Sequence, residues 1–249
     1  MTSMKEKTVF ITGASRGIGE AAAREFAFLG ANVAIAARNG SAVQGIAGEI
    51  GTQAMAFECD VSDAAQIRRS IDETVDRFGG LDILINNAGT LGEIGEPAAI
   101  DPAGFAEVLD VNVNGVFNGI HAALPHMKDG GTIITVGSGA ATSALEGWVS
   151  YCTSKAAVHH LNACIDREYR DQGIRALILS PGTVATQMQR DIKASGIGPV
   201  AKLEWEDHIP PEWPAKAMVW MCSPDADEFL GGVVALRDEG IRSRVGLIA

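Results

Sequence analysis

The sequence predicts an α/β fold in which a doubly wound parallel sheet of about seven strands is flanked by helices. Three observations lead there. Short apolar runs alternate with longer amphipathic ones along the 249 residues. Several of the short runs are almost continuously apolar, as strands buried on both faces should be. Nothing between them looks like a linker: there is no Ser/Gly/Pro tract, no long like-charge block and no internal repeat. One domain spanning 1–249 is therefore expected.

In chain order, the first strand is expected at Thr8–Thr12, followed by a helix at Gly17–Leu29 that Gly30 closes. Asn32–Ala37 reads as a strand, Ser41–Ile50 as a helix and Gln53–Cys59 as the third strand. Ser62-Asp63 ahead of Gln66 is a capping pattern for a helix over Asp63–Phe78, and Gly79-Gly80 end it. Leu81–Asn86 is the fourth strand, Pro102–His126 a long helix, Thr132–Val136 the fifth strand and Trp148–Asp171 the next helix. Arg175–Leu179 and Val233–Leu236 complete the strands, with a helix at Pro214–Cys222 between them. Right-handed crossovers put helices on both faces, and ligands of such sheets bind beyond the carboxyl ends of the strands.

Composition narrows the function. A formal net charge of −11 repels phosphate backbones and anionic membranes, so no nucleic-acid or membrane partner is expected. No stretch is long and apolar enough to span a bilayer. The amino-terminal apolar run is too short for a signal-peptide core. Cys59, Cys152, Cys164 and Cys222 show neither a C-x-x-C pair nor metal-ligand spacing, and His159-His160 are adjacent rather than a helical turn apart. Free thiols, a cytoplasmic location and no metal site are the expectations.

The first strand runs directly into Thr12-Gly13-Ala14-Ser15-Arg16-Gly17-Ile18-Gly19 and then a helix. A tight turn of this kind lets the backbone approach a pyrophosphate and aims helix N-terminal N–H groups at it. Four further features accompany it: Asn86-Asn87-Ala88-Gly89 after the fourth strand, Asn112 in the following helix, Ser138 after the fifth strand, and Tyr151-x-x-x-Lys155. With Pro181-Gly182-Thr183-Val184 after the sixth strand, this set resembles the short-chain dehydrogenase/reductase family, from about Lys7 to Val234 in order and spacing. The resemblance implies a Rossmann-like fold and a nicotinamide cofactor. The cofactor would be held by Gly13, Ser15, Arg16, Gly17, Ile18, Gly19, Arg38, Asn39, Asp60, Val61, Asn87, Ala88, Gly89, Tyr151, Lys155, Pro181, Gly182, Val184 and Thr186. Asp60 could instead merely cap a turn.

Tyr151 and Lys155 are four residues apart, so on a helix they share a face. A neighbouring ammonium and the cationic nicotinamide ring would lower the phenol pKa and suit it to general acid–base work. Ser138, 13 residues before Tyr151, can donate to a substrate carbonyl oxygen where negative charge develops. Ser143 and Ser150 are rival positions. Asn112 lies in Val111-Asn112-Val113-Asn114-Gly115, a poor mid-helix sequence whose local cost suggests either a functional constraint or a bare helix distortion. The resemblance gives Lys155 a second contact, to the nicotinamide ribose, and gives Asn112 a water that resupplies protons.

An acid at the end of the second strand would bind both ribose hydroxyls of NAD. Here Ala37 stands there, with Arg38 next and Arg16 able to converge, which favours NADP(H) over NAD. The segment 185–211, with Met188, Ile192, Ile197, Leu203, Trp205 and His208, would either cover the substrate as an apolar lid or only pack on the domain. The closing residues Arg237-Asp238-Glu239-Gly240 depart from the family's acidic-residue-and-two-glycines pattern. The tail 241–249 is long enough to reach a neighbouring subunit or its own domain. The family's usual faces imply a homotetramer or homodimer. The expected activity is hydride transfer between NADP(H) and a small ketone or secondary alcohol. A 3-oxoacyl thioester reductase within the same chemistry, or a non-catalytic NADP-binding sensor or scaffold, are the alternatives.

Overall fold

The computed structural model describes residues 3–248. Its centre is one parallel sheet of seven strands in the order β3-β2-β1-β4-β5-β6-β7. The strands are β1 (Thr8–Thr12), β2 (Asn32–Ala37), β3 (Ala54–Glu58), β4 (Ile83–Asn86), β5 (Gly131–Val136), β6 (Ile174–Ser180) and β7 (Val233–Ala235). The helices between them are α1 (Gly17–Phe28), α2 (Gly40–Ile50), α3 (Ala64–Phe78), α4 (Pro102–Leu109), α5 (Gly115–Ala123), α6 (Val149–Tyr169), α7 (Gln187–Ser195), α8 (Glu212–Met221) and α9 (Glu239–Val245). The seven expected strands and the doubly wound arrangement are all present, with boundaries moved by a few residues.

Alternation along the strands divides the core between the two faces. Val9, Ile11, Val33, Ile35, Ile83, Ile85, Leu177 and Leu179 enter one apolar cluster, which α1, α2 and α8 complete with Phe26, Val43 and Met218. The intervening Phe10, Ala34, Leu84, Ile133 and Ala176 enter the other, completed by Ile67 and Ile71 of α3, Ile120 of α5 and Val158 of α6. Burial on both faces explains why the central strands carry no polar alternation.

Three departures from the expected elements matter for the site. The helix expected over Pro102–His126 is broken: α4 and α5 are joined by a π-helical turn at Asp110–Asn114, and a 3-10 turn at Leu124–His126 ends the segment. The turn coincides with the commitment of the Asn112 side chain. Its Oδ1 accepts from the Thr90 backbone N–H at 2.8 Å, and its Nδ2 donates to the Thr90 carbonyl at 2.8 Å. Such turns mark functional positions in many helices. Second, α7 forms inside the segment 185–211, whose neck is closed by Ala185 N–H to the Ile209 carbonyl (2.9 Å) and Ile209 N–H to the Thr183 carbonyl (3.1 Å). Third, the tail forms α9 and docks on its own chain. Asp238 caps it, Ile241 is buried, and the Arg242 and Arg244 guanidiniums lie over the Trp213 and Trp220 rings at 5.4 and 5.1 Å.

The order of the sheet puts the switch between β1 and β4, where the chain has gone outward to β3 and returns. The Thr12 hydroxyl helps to join the two exits. Thr12 Oγ1 accepts from the backbone N–H groups of Asn87 (3.0 Å) and Ala88 (3.1 Å), and Thr12 is only 2 % exposed. Thr12→Val keeps the shape and orphans both donors. It should cost about 1–3 kcal/mol per donor left unsatisfied, measured by urea unfolding, while Thr12→Ser should recover most of the loss; equal losses in both variants would contradict this role.

Candidate active site

Beyond the carboxyl ends of the strands lies a cleft of about 1130 Å³ that runs from β2 across β1, β4 and β5 to β6 and the segment above it. Its floor at β1 is the glycine turn. Gly13 has φ +66, and a Cβ there would come within 2.6 Å of the Ala88 Cα, so the turn and the β4 exit touch backbone to backbone. Gly19 does not line the cleft; a Cβ on it would meet Asn87 Nδ2 at 2.5 Å and the Gly13 carbonyl at 2.6 Å, so it serves the close approach of α1 to the sheet. Ser15, Arg16, Gly17 and Ile18 line the cleft beside Gly13.

The next stretch of wall comes from β2, β3 and β4. Ala37, Arg38 and Asn39 face the cleft together with Arg16. Neither arginine has an ion-pair partner among the described residues, and Asn39 also caps α2 by accepting from Ala42 N–H at 3.1 Å. The acid at the end of β3, Glu58, sits against Gly40 and does not reach the cleft. Asp60 and Val61 do reach it, and Asp60 at the same time closes a turn, accepting from Ser62 N–H at 2.9 Å and from its hydroxyl at 2.7 Å. Asn87, Ala88 and Gly89 line it from β4, but the Asn87 amide is spent on the carbonyls of Thr12 (2.9 Å) and Gly13 (3.0 Å).

At the other end, Ser138, Tyr151, Lys155, Pro181, Gly182, Val184 and Thr186 all line the same cleft. Ser138 follows β5 and its Oγ accepts from Ala140 N–H at 3.1 Å. Of its rivals, Ser143 also lines the cleft, whereas Ser150 is buried away from it. Tyr151 and Lys155 lie one turn apart on α6, with Lys155 Nζ 5.5 Å from the Tyr151 ring centroid and donating to the Val136 carbonyl at 2.8 Å. Trp148 stacks edge-on against Tyr151 at 5.7 Å, and Ile192 and Met188 of α7 pack in the same apolar cluster. Met188, Leu203 and Trp205 line the cleft from above, while Ile197 packs against Gly147.

Asn112 is the one expected catalytic residue outside the cleft. It is completely buried behind the wall, where its Nδ2 also donates to Ser154 Oγ at 2.9 Å, and Ser154 in turn donates to the Tyr151 carbonyl at 2.8 Å. Thr90, the π turn and α6 are thereby tied together directly beneath the tyrosine. Thr12, Thr90 and Ser154 escaped the sequence reading; the available signal was a polar residue inside an apolar segment. His159 is another. It lies one turn past Lys155, packs against Gly137, and its Nε2 accepts from Ser138 N–H at 3.5 Å.

Electrostatics here differ from the sequence expectation. Burial pushes the Tyr151 phenol up to about 12, opposed by the Ser138 hydroxyl, instead of lowering it. Burial pulls the Lys155 ammonium down to about 8 and, with the Lys155 charge, lowers His159 as well. Removal from water dominates both shifts because both groups face protein on nearly all sides. The phenol is therefore protonated at neutral pH.

A glycine cradle for phosphates continuous with a Ser–Tyr–Lys wall, on a doubly wound sheet, defines a nicotinamide-dependent oxidoreductase. The sequence model described as short chain dehydrogenase matches residues 7–196, and the chain belongs to that family of enzymes acting on CH–OH and C=O groups. It is 31% identical over 237 residues to glucose 1-dehydrogenase 2 of Bacillus subtilis, covering 92% of each chain. Its fold is similar to the 3-ketoacyl-(acyl-carrier-protein) reductase of Brucella melitensis complexed with NADH, with a TM-score of 0.84, 28% identity, and 94% of this chain and 98% of that one covered. It is also similar to a short chain dehydrogenase of Burkholderia cenocepacia in complex with NADP, with a TM-score of 0.83, 29% identity, and coverage of 94% and 97%. No described helix is long and apolar enough to cross a membrane, and no described cluster of His, Cys, Asp and Glu could hold a metal ion.

The depressed Lys155 has a measurable consequence. Between about 8 and the ordinary 10.5 the unfolded chain binds more protons at this residue than the folded one, so its contribution to stability rises with pH across that window. In urea unfolding without nicotinamide, the stability of the wild type relative to Lys155→Met should increase from about pH 8 to about pH 10.5. A pH-independent difference would contradict the burial argument.

Proposed function

We propose that the chain is an NADP(H)-dependent oxidoreductase of a small ketone or secondary alcohol, with Tyr151 as general acid/base. The observation that carries the reading is the convergence of Ser138, Tyr151 and Lys155 on one end of a cleft whose other end presents Arg16 and Arg38 without a facing acid. Strand spacing puts β2 and β5 roughly 14 Å apart, a span suited to an extended dinucleotide. The tight backbone contact between Gly13 and Ala88 and the open glycine turn fit a pyrophosphate.

When bound, the nicotinamide supplies or accepts the hydride at its C4. Ser138 and Tyr151 hydrogen-bond the substrate oxygen, and the protonated phenol of Tyr151 gives its proton to that oxygen during reduction. In the reverse direction the phenol must lose a proton, so its raised pKa has to be lowered by positive charge brought near it. Lys155 and the oxidised nicotinamide are the two sources of that charge. Asn112 acts from behind, fixing α6 through Ser154. The segment 185–211 covers the substrate: its apolar side chains pack around Tyr151 and exclude water. Copies of the chain associate as a homotetramer or homodimer over α5 and α6, where Phe117 is half exposed.

The likeness to a 3-ketoacyl-(acyl-carrier-protein) reductase favours a 3-oxoacyl thioester as the second substrate reading. A panel of ketones and thioesters followed by NADPH absorbance separates the two. Tyr151→Phe should lower kcat by about 10²–10⁴-fold while the Kd for NADPH is unchanged; biological activity surviving that substitution would point to a sensor or scaffold instead. The ratio of kcat/KM with NADPH to that with NADH should exceed one, and Arg38→Leu should reduce it by about tenfold or more. A clear preference for NADH in the wild type would overturn the assignment of NADP.

A further inference from the structure

We propose that the substrate carries an oxyanion, in the first instance a carboxylate, and that Arg237 receives it. The inference rests on the reading of Ser138 and Tyr151 as the pair that binds the carbonyl oxygen, and it adds the substrate class which that pair leaves open.

Although the chain has a net charge of −11, the walls of this cleft carry arginine and lysine at several points. Most of these cations have a partner in the structure or a task under the proposed function. Arg24 is held by Glu20 at 2.9 Å and Glu49 at 2.8 Å. The Arg190 guanidinium lies 4.9 Å over the Trp205 ring. Lys155 donates to the Val136 carbonyl, and Arg16 and Arg38 stand at the far, β1–β2 end. Arg237 is left. It lines the cleft at the β5–β6 end and has no hydrogen-bond or ion-pair acceptor among the described residues.

Its backbone is pinned on both sides. Leu236 is fully buried and donates to the Ser180 carbonyl at 2.9 Å, and Asp238 N–H donates to the Ala235 carbonyl at 3.1 Å. The adjacent carboxylate that could have neutralised the guanidinium is occupied elsewhere: Asp238 Oδ1 accepts from Gly240 and Ile241 N–H at the start of α9. The side chain then lies across two glycines. A Cβ on Gly182 would stand 3.5 Å from Arg237 Cγ and 3.8 Å from Nε, and one on Gly139 3.9 Å from Nη1. The guanidinium thus crosses the exit of β6 and ends beside the residue that follows Ser138, with no side chain filling the space at either glycine.

A guanidinium is costly to leave without a counter-charge once a substrate excludes water, and its planar fork matches a carboxylate with two parallel hydrogen bonds. A single arginine suits a monoanion better than a phosphate dianion, for which Arg16 and Arg38 form the two-cation site at the other end. Glu212, on the same cleft, would repel an anion that approached from the α8 side.

The test uses matched ketones with the full-length protein and NADPH: 2- and 3-oxo acids against their methyl esters, and dihydroxyacetone phosphate against dihydroxyacetone. The wild type should prefer the acid of a pair by kcat/KM. Arg237→Gln should reduce that preference by about tenfold to a hundredfold, and Arg237→Lys should restore part of it. If the phosphate pair shows the dependence and the acids do not, the oxyanion subsite stands with phosphate as its ligand. A wild type that prefers esters throughout, or a preference untouched in Arg237→Gln, overturns the proposal. Should no ketone of the panel be reduced, titration of acetoacetate into the NADPH-saturated protein decides. Saturable binding weakened in Arg237→Gln supports the subsite, and no binding, or equal binding in both, overturns it. Failure to bind NADPH at all counts against the proposed function, so the two failures are distinct.

Discussion

The contact on which the rest of the site depends is the clasp between the exits of β1 and β4. Thr12 Oγ1 takes two backbone donors from the Asn87–Ala88 turn, and the Asn87 amide returns to the carbonyls of Thr12 and Gly13. Four hydrogen bonds therefore fix two loops at the point where the sheet reverses its order, with Gly13 and Ala88 in backbone contact between them. The reversal opens the crevice, and the clasp sets its width. Were the two exits free to part, neither the glycine turn on one side nor the Thr90–Asn112 linkage on the other would have a fixed base.

From that base the constraint passes to the chemistry through Asn112. Both of its amide hydrogens go to Thr90 and Ser154 and its Oδ1 accepts from Thr90, which fixes its place, and the π turn is the backbone arrangement that accompanies these bonds. Ser154 carries the connection to the carbonyl of Tyr151. The same enclosure that makes this tyrosine rigid also raises its pKa to about 12 and lowers that of Lys155 to about 8. Burial therefore favours the neutral forms of both members of the pair.

The strands, their parallel order and the residues at their carboxyl ends were legible because buried parallel strands leave continuous apolar runs and several candidate site residues directly follow one of them. Ser138 after β5 and the Gly13 turn after β1 are examples. Features that depend on contacts across the chain were not legible. The poor mid-helix sequence around Asn112 hinted at a distortion, but the pairing with Thr90, 22 residues away, that accompanies the break at Asp110–Asn114 leaves no local pattern. The short helices α7 and α9 have nine and seven residues, too few for intrinsic propensity to declare them; packing on the cleft and on α8 stabilises them. Thr12 and Ser154 look like ordinary strand and helix residues until their partners are in place.

Charge shows the same division between local and long-range information. The negative balance of the whole chain disfavours polyanionic partners, but it says nothing about the sign of the potential inside one crevice. Arg16 and Arg38 could be matched from sequence because both flank the ends of adjacent strands. Arg237 could not, because it meets Gly139 and Gly182 only after β5, β6 and β7 are laid side by side. A residue nearly a hundred positions from Ser138 thus becomes its neighbour through the parallel order of the sheet. On this fold the glycine turn and Ser138 stand at strand ends that successive stretches of the chain supply. The last strand and the segment 185–211 add to the cleft residues that only long-range packing brings over them.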